Sequence, residues 1–177
     1  MQDIYYKRIK IANLDIIVSK IKSFLEKENF IDSADKGYIP LEKISILLNC
    51  PEIFQSFSQL GFEIKGLAIY KTFKNDTPVH IDQSTYKSRI NIPILNCVDT
   101  HTIFYKADTV LPIQQDYKNL ELIPCINEIE VDRVTIDQPT VIRIDRPHKV
   151  LMNEQASPRI CLTVRCEPDP ILLFNKE

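Results

Sequence analysis

Residues 88–95 read SRINIPIL, and this stretch decides the fold class. Ile90, Ile92 and Ile94 recur at every second position with Arg89, Asn91 and Pro93 between them. That period of two belongs to a strand with one apolar face. Working outward, the same β-rich character returns in GLAIYKTF (66–73) and TPVHID (77–82) upstream. Downstream come HTIFYKA (101–107), LELIPCINEIEVD (120–132), TVIRID (140–145), HKVLMN (148–153) and RICLTVRCE (159–167). Turn residues divide these runs at Asn75-Asp76, Asp99, Asp137-Gln138-Pro139 and 153–158. About eight short strands is the count of a double-sheet jelly roll.

Ahead of Gly61 the period changes. Leu14, Ile17, Ile21, Phe24 and Leu25 recur at helical spacing, which predicts an amphipathic helix ending near Asn29. Gly37 and Pro40 mark a turn. A second helical pattern runs from Leu41 to Leu60, with Pro51 restarting it as a first-turn proline and Gly61 stopping it. The expected fold is mainly β with N-terminal helices: a double-stranded β-helix (jelly roll, cupin-like) with two or three helices buttressing one sheet. A single domain covers 1–177, with a helical buttress at 1–65, a jelly-roll core at 66–167 and a tail at 168–177.

Composition narrows the function classes. The chain has 177 residues, 44% hydrophobic and 26% charged, an ordinary globular balance. A net charge of −2 supplies no Lys/Arg excess, which argues against nucleic acid as the partner. Five cysteines without a C-x-x-C pair fit reduced thiols, and Cys161 and Cys166 read as core filler. No stretch approaches the length of a membrane span and the N-terminus lacks a signal-peptide core, so the expectation is a soluble, cytoplasmic protein.

Only three histidines are present, and two stand where strand geometry makes them useful. His80 and Asp82 are i and i+2, so an extended strand turns both to one face. His148 follows 66 residues after Asp82, at the start of another strand. Two imidazoles and one carboxylate with coordination positions left open form the facial triad of non-heme iron(II) oxygenases. Taken alone, His-x-Asp is more readily explained by a hydrogen-bonded strand histidine. His101 reads as a surface turn histidine.

The segment from Pro147 to Arg165 adds to the pattern. It reads as a β-hairpin turning near Gln155-Ala156, which sets Thr163 opposite His148 and Arg159 about four residues further along. At about 3.3 Å per residue the two backbones are then offset by roughly 13 Å. The arginine side chain spans about half of that, and a five-carbon diacid fits the remainder. Arginine suits the task because its planar fork binds a carboxylate bidentately.

The His-x-Asp pair, the distal His and an Arg eleven residues beyond it resemble the iron(II)- and 2-oxoglutarate-dependent dioxygenases, nearest in spacing to their prolyl-hydroxylase-like branch. The resemblance covers roughly 66–167. It implies iron(II) ligands His80, Asp82 and His148, with Arg159 clamping the distal carboxylate of 2-oxoglutarate. Thr163 would line the co-substrate, and Tyr70 would contact its metal-proximal end unless it is a core aromatic. Asn96 falls where that branch usually carries a second Tyr, a departure from the pattern. The implied activity uses 2-oxoglutarate and O₂ to hydroxylate an unactivated C–H of a peptide or protein side chain or a small molecule. The alternatives are a cupin-like metal enzyme independent of 2-oxoglutarate and a non-catalytic jelly roll.

Strand phase adds finer expectations. Ile90, Ile92, Ile94 and Asn96 share a face, so the isoleucines would flank the diacid's methylenes and Asn96 would offer a polar end. Arg89, in the opposite phase, would meet the substrate. Arg143, Arg146 and Arg165 read as solvated partners of Asp145, Glu154 or Glu167, with an inward-pointing alternative for Arg165.

Overall fold

Helices cover one of two packed sheets, and a cavity with both apolar and polar walls lies between the sheets. The computed structural model describes residues 4–33, 37–75, 77–115, 121–153, 155 and 157–175. The front carries β1 (Tyr6–Arg8), α1 (Leu14–Lys27), β2 (Tyr38–Leu41), α2 (Lys43–Asn49) and α3 (Pro51–Gln59). Behind it come β3 (Glu63–Thr72), β4 (His80–Asp82), β5 (Ser88–Leu95) and β6 (Thr100–Val110). The strands β7 (Gln114–Gln115), β8 (Glu121–Thr135), β9 (Thr140–Arg143), β10 (His148–Met152) and β11 (Arg159–Glu167) complete the chain, before a 3-10 helix at Pro170–Asn175.

Two antiparallel sheets result. The six-stranded sheet runs β1-β9-β5-β11-β3-β2; the five-stranded sheet runs β4-β10-β6-β8-β7, with β4 also pairing β8. The helices cover the outer face of the six-stranded sheet. Ile17, Ile21 and Leu25 of α1, Ile46 of α2, and Ile53 and Phe57 of α3 pack into one cluster with Ile69, Ile90, Ile92, Leu162 and Val164. Helices and strands therefore share one core.

Pro51 opens α3 at its first turn, where its missing N–H costs nothing. Gly61 closes it with φ 82°, its N–H donating to the Ser58 carbonyl, a left-handed stop that glycine adopts without strain. Beneath the helices Lys71 is fully buried; its ammonium donates to the carbonyls of Phe30, Ile31 and Ser33 and ties the chain after α1 to β3.

Three expectations are corrected here. The front is not purely helical, because Tyr6–Arg8 pairs with β9 and Tyr38–Leu41 pairs with β3. Pro40 sits in β2 without harm because β2 is an edge strand, where one ladder hydrogen bond is dispensable. Next, residues 148–153 and 159–167 do not form a hairpin. His148 pairs with His80 and Phe104 in one sheet, while Thr163 pairs with Ala68 and Asn91 in the other. Each strand is already flanked on both sides, and the link between them crosses the gap of about 10 Å between stacked sheets. Ala156 of the expected turn lies outside the described residues, as do Asp76 and Glu154. Finally, Ile90, Ile92 and Ile94 face the helices rather than the interior between the sheets. The drier interface takes the apolar phase of β5 and leaves Arg89 and Asn91 inside.

Candidate metal centre

The centre begins with a register. β4 and β10 are neighbours and their pairing sets His80 opposite His148, with ring centroids 4.7 Å apart. Asp82, two residues along β4, points the same way. His80 Nε2 lies 3.3 Å and His148 Nε2 3.7 Å from Asp82 Oδ1. One ligand atom from each of the three residues falls within 4.8 Å of the others. Ligands bonded at about 2.1 Å to one ion at right angles stand about 3 Å apart, and the 3.3 and 3.7 Å separations from Asp82 Oδ1 come near that spacing.

The backbone fixes which nitrogen each ring offers. His80 Nδ1 is 2.8 Å from the Pro78 carbonyl, and His148 Nδ1 is 2.9 Å from the Arg146 carbonyl. A carbonyl only accepts, so each Nδ1 carries its proton and each Nε2 turns a lone pair toward Asp82. Lone pairs then face a carboxylate oxygen at close range. A cation between them resolves that repulsion, and the outer hydrogen bonds are those that orient metal-binding imidazoles.

Electrostatics keep the donors in ligating form. Burial pushes the His148 pKa down to about 4, so the ring is neutral at ordinary pH. Burial alone would raise the Asp82 carboxyl. The Arg89 charge beside it opposes that and holds the group well below the usual carboxylate range.

Arg89 is the feature that sequence reading placed elsewhere. Its Nη2 lies 3.1 Å from Asp82 Oδ2, and its Nη1 donates to the Tyr70 hydroxyl at 2.6 Å. One carboxylate oxygen is thereby occupied and the other left for the imidazoles. Tyr70 stays a neutral phenol, since burial pushes its pKa up to about 12.

A cavity of about 280 Å³ lies between the sheets, and the three donors open into it together with Tyr70, Arg159 and Thr163. Arg159 is buried, and its Nε donates to Thr100 Oγ1 at 3.0 Å, which fixes the plane of the guanidinium. Among the described residues, the cavity-lining Thr163 Oγ1, Thr102 Oγ1 and Arg89 Nε are buried without a hydrogen-bond partner. These atoms stand available to a polar ligand in the cavity.

Asn96 does not belong to this site. It is exposed at φ 52°, past the end of β5, where its Nδ2 donates to the Pro158 carbonyl at 3.0 Å. The alternation that put it in phase with Ile94 breaks at this left-handed residue, so its role is structural. Cys161 packs in a buried apolar cluster with Phe104, Val134 and Ile142, as expected of core filler, and also borders the cavity, as does Arg165. Arg143 pairs bidentately with Asp145, at 2.9 and 2.7 Å. Arg146, expected in solvent, has its Nε buried instead. His101 sits within β6, its Nδ1 2.9 Å from Thr135 Oγ1, rather than in a turn.

No family model matches the chain, and no curated protein matches it. Solved structures do. AviO1 from Streptomyces viridochromogenes Tue57 superposes with TM-score 0.50 at 12% identity, over 90% of this chain and 88% of that one. The non-heme alpha-ketoglutarate-dependent carbocyclase SnoK from nogalamycin biosynthesis gives 0.46 at 13% identity, over 90% and 78%. A nickel complex of the non-heme monooxygenase ThoJ gives 0.46 at 9% identity, over 92% and 71%. The likeness to AviO1 concerns the fold, which recurs over most of both chains. No helix among the described residues is long and apolar enough to cross a membrane.

Proposed function

We propose that this chain is an iron(II)- and 2-oxoglutarate-dependent oxygenase built on a jelly roll, its two sheets being the halves of a double-stranded β-helix in one domain. The observation that carries the reading is the convergence of His80 Nε2, His148 Nε2 and Asp82 Oδ1, each imidazole pinned through Nδ1 to a carbonyl. A buried guanidinium shares their cavity. Three protein ligands leave coordination positions for a chelating co-substrate and O₂.

His80, Asp82 and His148 would hold the metal, with Arg89 engaging the second oxygen of Asp82. Arg159 receives the far carboxylate of 2-oxoglutarate in the planar bidentate mode that its fixed guanidinium presents. The Thr163 hydroxyl, buried without a partner, donates to the same co-substrate. Tyr70 borders its metal-proximal end. Bound iron and 2-oxoglutarate supply the oxidising power to hydroxylate an unactivated C–H bond; the protein supplies position.

The test is to supply the purified protein with iron(II), 2-oxoglutarate and air, and to measure succinate. Slow iron-dependent and oxygen-dependent succinate formation is expected even without the true substrate. Absence of both iron binding and succinate would contradict the reading.

A further inference from the structure

Three arginines line the cavity, and only two have a task so far. Arg159 is the buried one on the inner face of β11, followed at two-residue steps by Cys161, Thr163 and Arg165. Burial ends at Arg165, which is exposed, so that end of the row is the mouth. Six residues separate the two guanidiniums along the strand, about 20 Å of backbone. The donor cluster sits nearer the mouth. Asp82 touches Arg89, and the register that pairs Thr163 with Asn91 and Val164 with Ile90 continues to set Arg89 beside Arg165.

Two like charges on neighbouring strands repel. Asp82 and Tyr70 compensate Arg89. Arg165 makes no ion pair among the described residues. It lies over Gly66, its ladder partner on β3, so closely that a Cβ there would stand 2.6 Å from Nη2 and 2.8 Å from Nε. Asn91 and Thr163 form the next row inward and add polar groups to the same wall. The acidic members of the lining are Asp82, already engaged, and Glu121, exposed on the facing sheet.

We propose that the substrate is a small organic acid whose carboxylate is received by Arg165 at the mouth, which points its remaining carbons toward the donor cluster. This rests on the oxygenase reading and names its substrate class. A planar guanidinium with an amide nearby matches a planar two-oxygen anion. The cavity of about 280 Å³ favours a small molecule over a folded protein surface.

The experiment uses benzoate and its neutral isostere benzamide as probes. The full chain is loaded with diamagnetic zinc(II) and saturating 2-oxoglutarate, which blocks Arg159, and the arginine Nε resonances are followed by NMR. Benzoate should shift the Arg165 signal saturably and bind at least tenfold tighter than benzamide. Arg165→Gln should abolish the preference. Gly66→Ala should weaken it, because the new Cβ displaces the guanidinium from a backbone that is not in the left-handed region. No response of Arg165 to benzoate, an equal response to benzamide, or a preference that survives Arg165→Gln overturns the proposal. Failure of the metal reading is seen separately, as histidine ring signals of His80 and His148 that zinc does not move.

Discussion

The two faces of the six-stranded sheet are made by the same strands and have opposite characters. On β11, Ile160, Leu162, Val164 and Cys166 meet the helices and are fully buried. Between them Arg159, Cys161, Thr163 and Arg165 line the cavity. On β5, Ile90 and Ile92 face the helices while Arg89 and Asn91 face the donors. The outer face buries apolar surface at about 25 cal/mol per Å². The inner face presents buried polar atoms that can bond a ligand. Stability and chemistry are thus separated by a half-turn of one strand.

That separation can be broken from either side. Leu162→Ala on the outer face should cost about 2–5 kcal/mol of stability, read by denaturant unfolding, with iron(II) affinity preserved. A comparable loss of iron affinity in the folded variant would show the two faces to be coupled. Arg159→Ala should raise the 2-oxoglutarate requirement about 100-fold, the scale of losing a bidentate carboxylate contact. An unchanged requirement would remove Arg159 from the co-substrate.

Smaller effects sharpen the picture. Arg89→Met frees Asp82 Oδ2, and iron(II) affinity should fall about 10- to 100-fold, as for other groups that orient metal ligands. Arg89→Lys should restore part of it, since one ammonium can still reach Oδ2. Affinity equal to the parent in both variants would assign Arg89 to the substrate alone. The subtlest change is Thr163→Val, which deletes a buried hydroxyl lacking a partner. The ligand-free protein should gain about 1 kcal/mol in unfolding free energy while 2-oxoglutarate binding weakens several-fold. A loss of stability would mean that the hydroxyl is satisfied in the free protein.

Much of this was legible in the residues. Period two marked the central strands, Pro51 and Gly61 bounded α3, and the i, i+2 spacing of His80 and Asp82 put both on one face of β4. What could not be read was which way each strand turns. Ile90, Ile92 and Ile94 look equally suited to a cavity wall and to a helix-covered face, and only the position of α1 to α3 decides between them. The sheet to which β11 belongs was equally hidden, because a six-residue link serves a hairpin and a sheet-to-sheet crossing alike. Asn96 was misplaced because one left-handed residue ends the alternation. The Arg89 partnership was missed because Asp82 joins it across the sandwich, between strands that never pair.

The central claim is that His80, Asp82 and His148 together bind iron and that 2-oxoglutarate then binds through it. Anaerobic calorimetry tests this directly, titrating iron(II) first and 2-oxoglutarate second, on the parent and on His148→Ala. One iron per chain is expected, with 2-oxoglutarate binding only once iron is present, and loss of both in the variant. Iron bound equally well without His148, or 2-oxoglutarate bound equally well without iron, would contradict it.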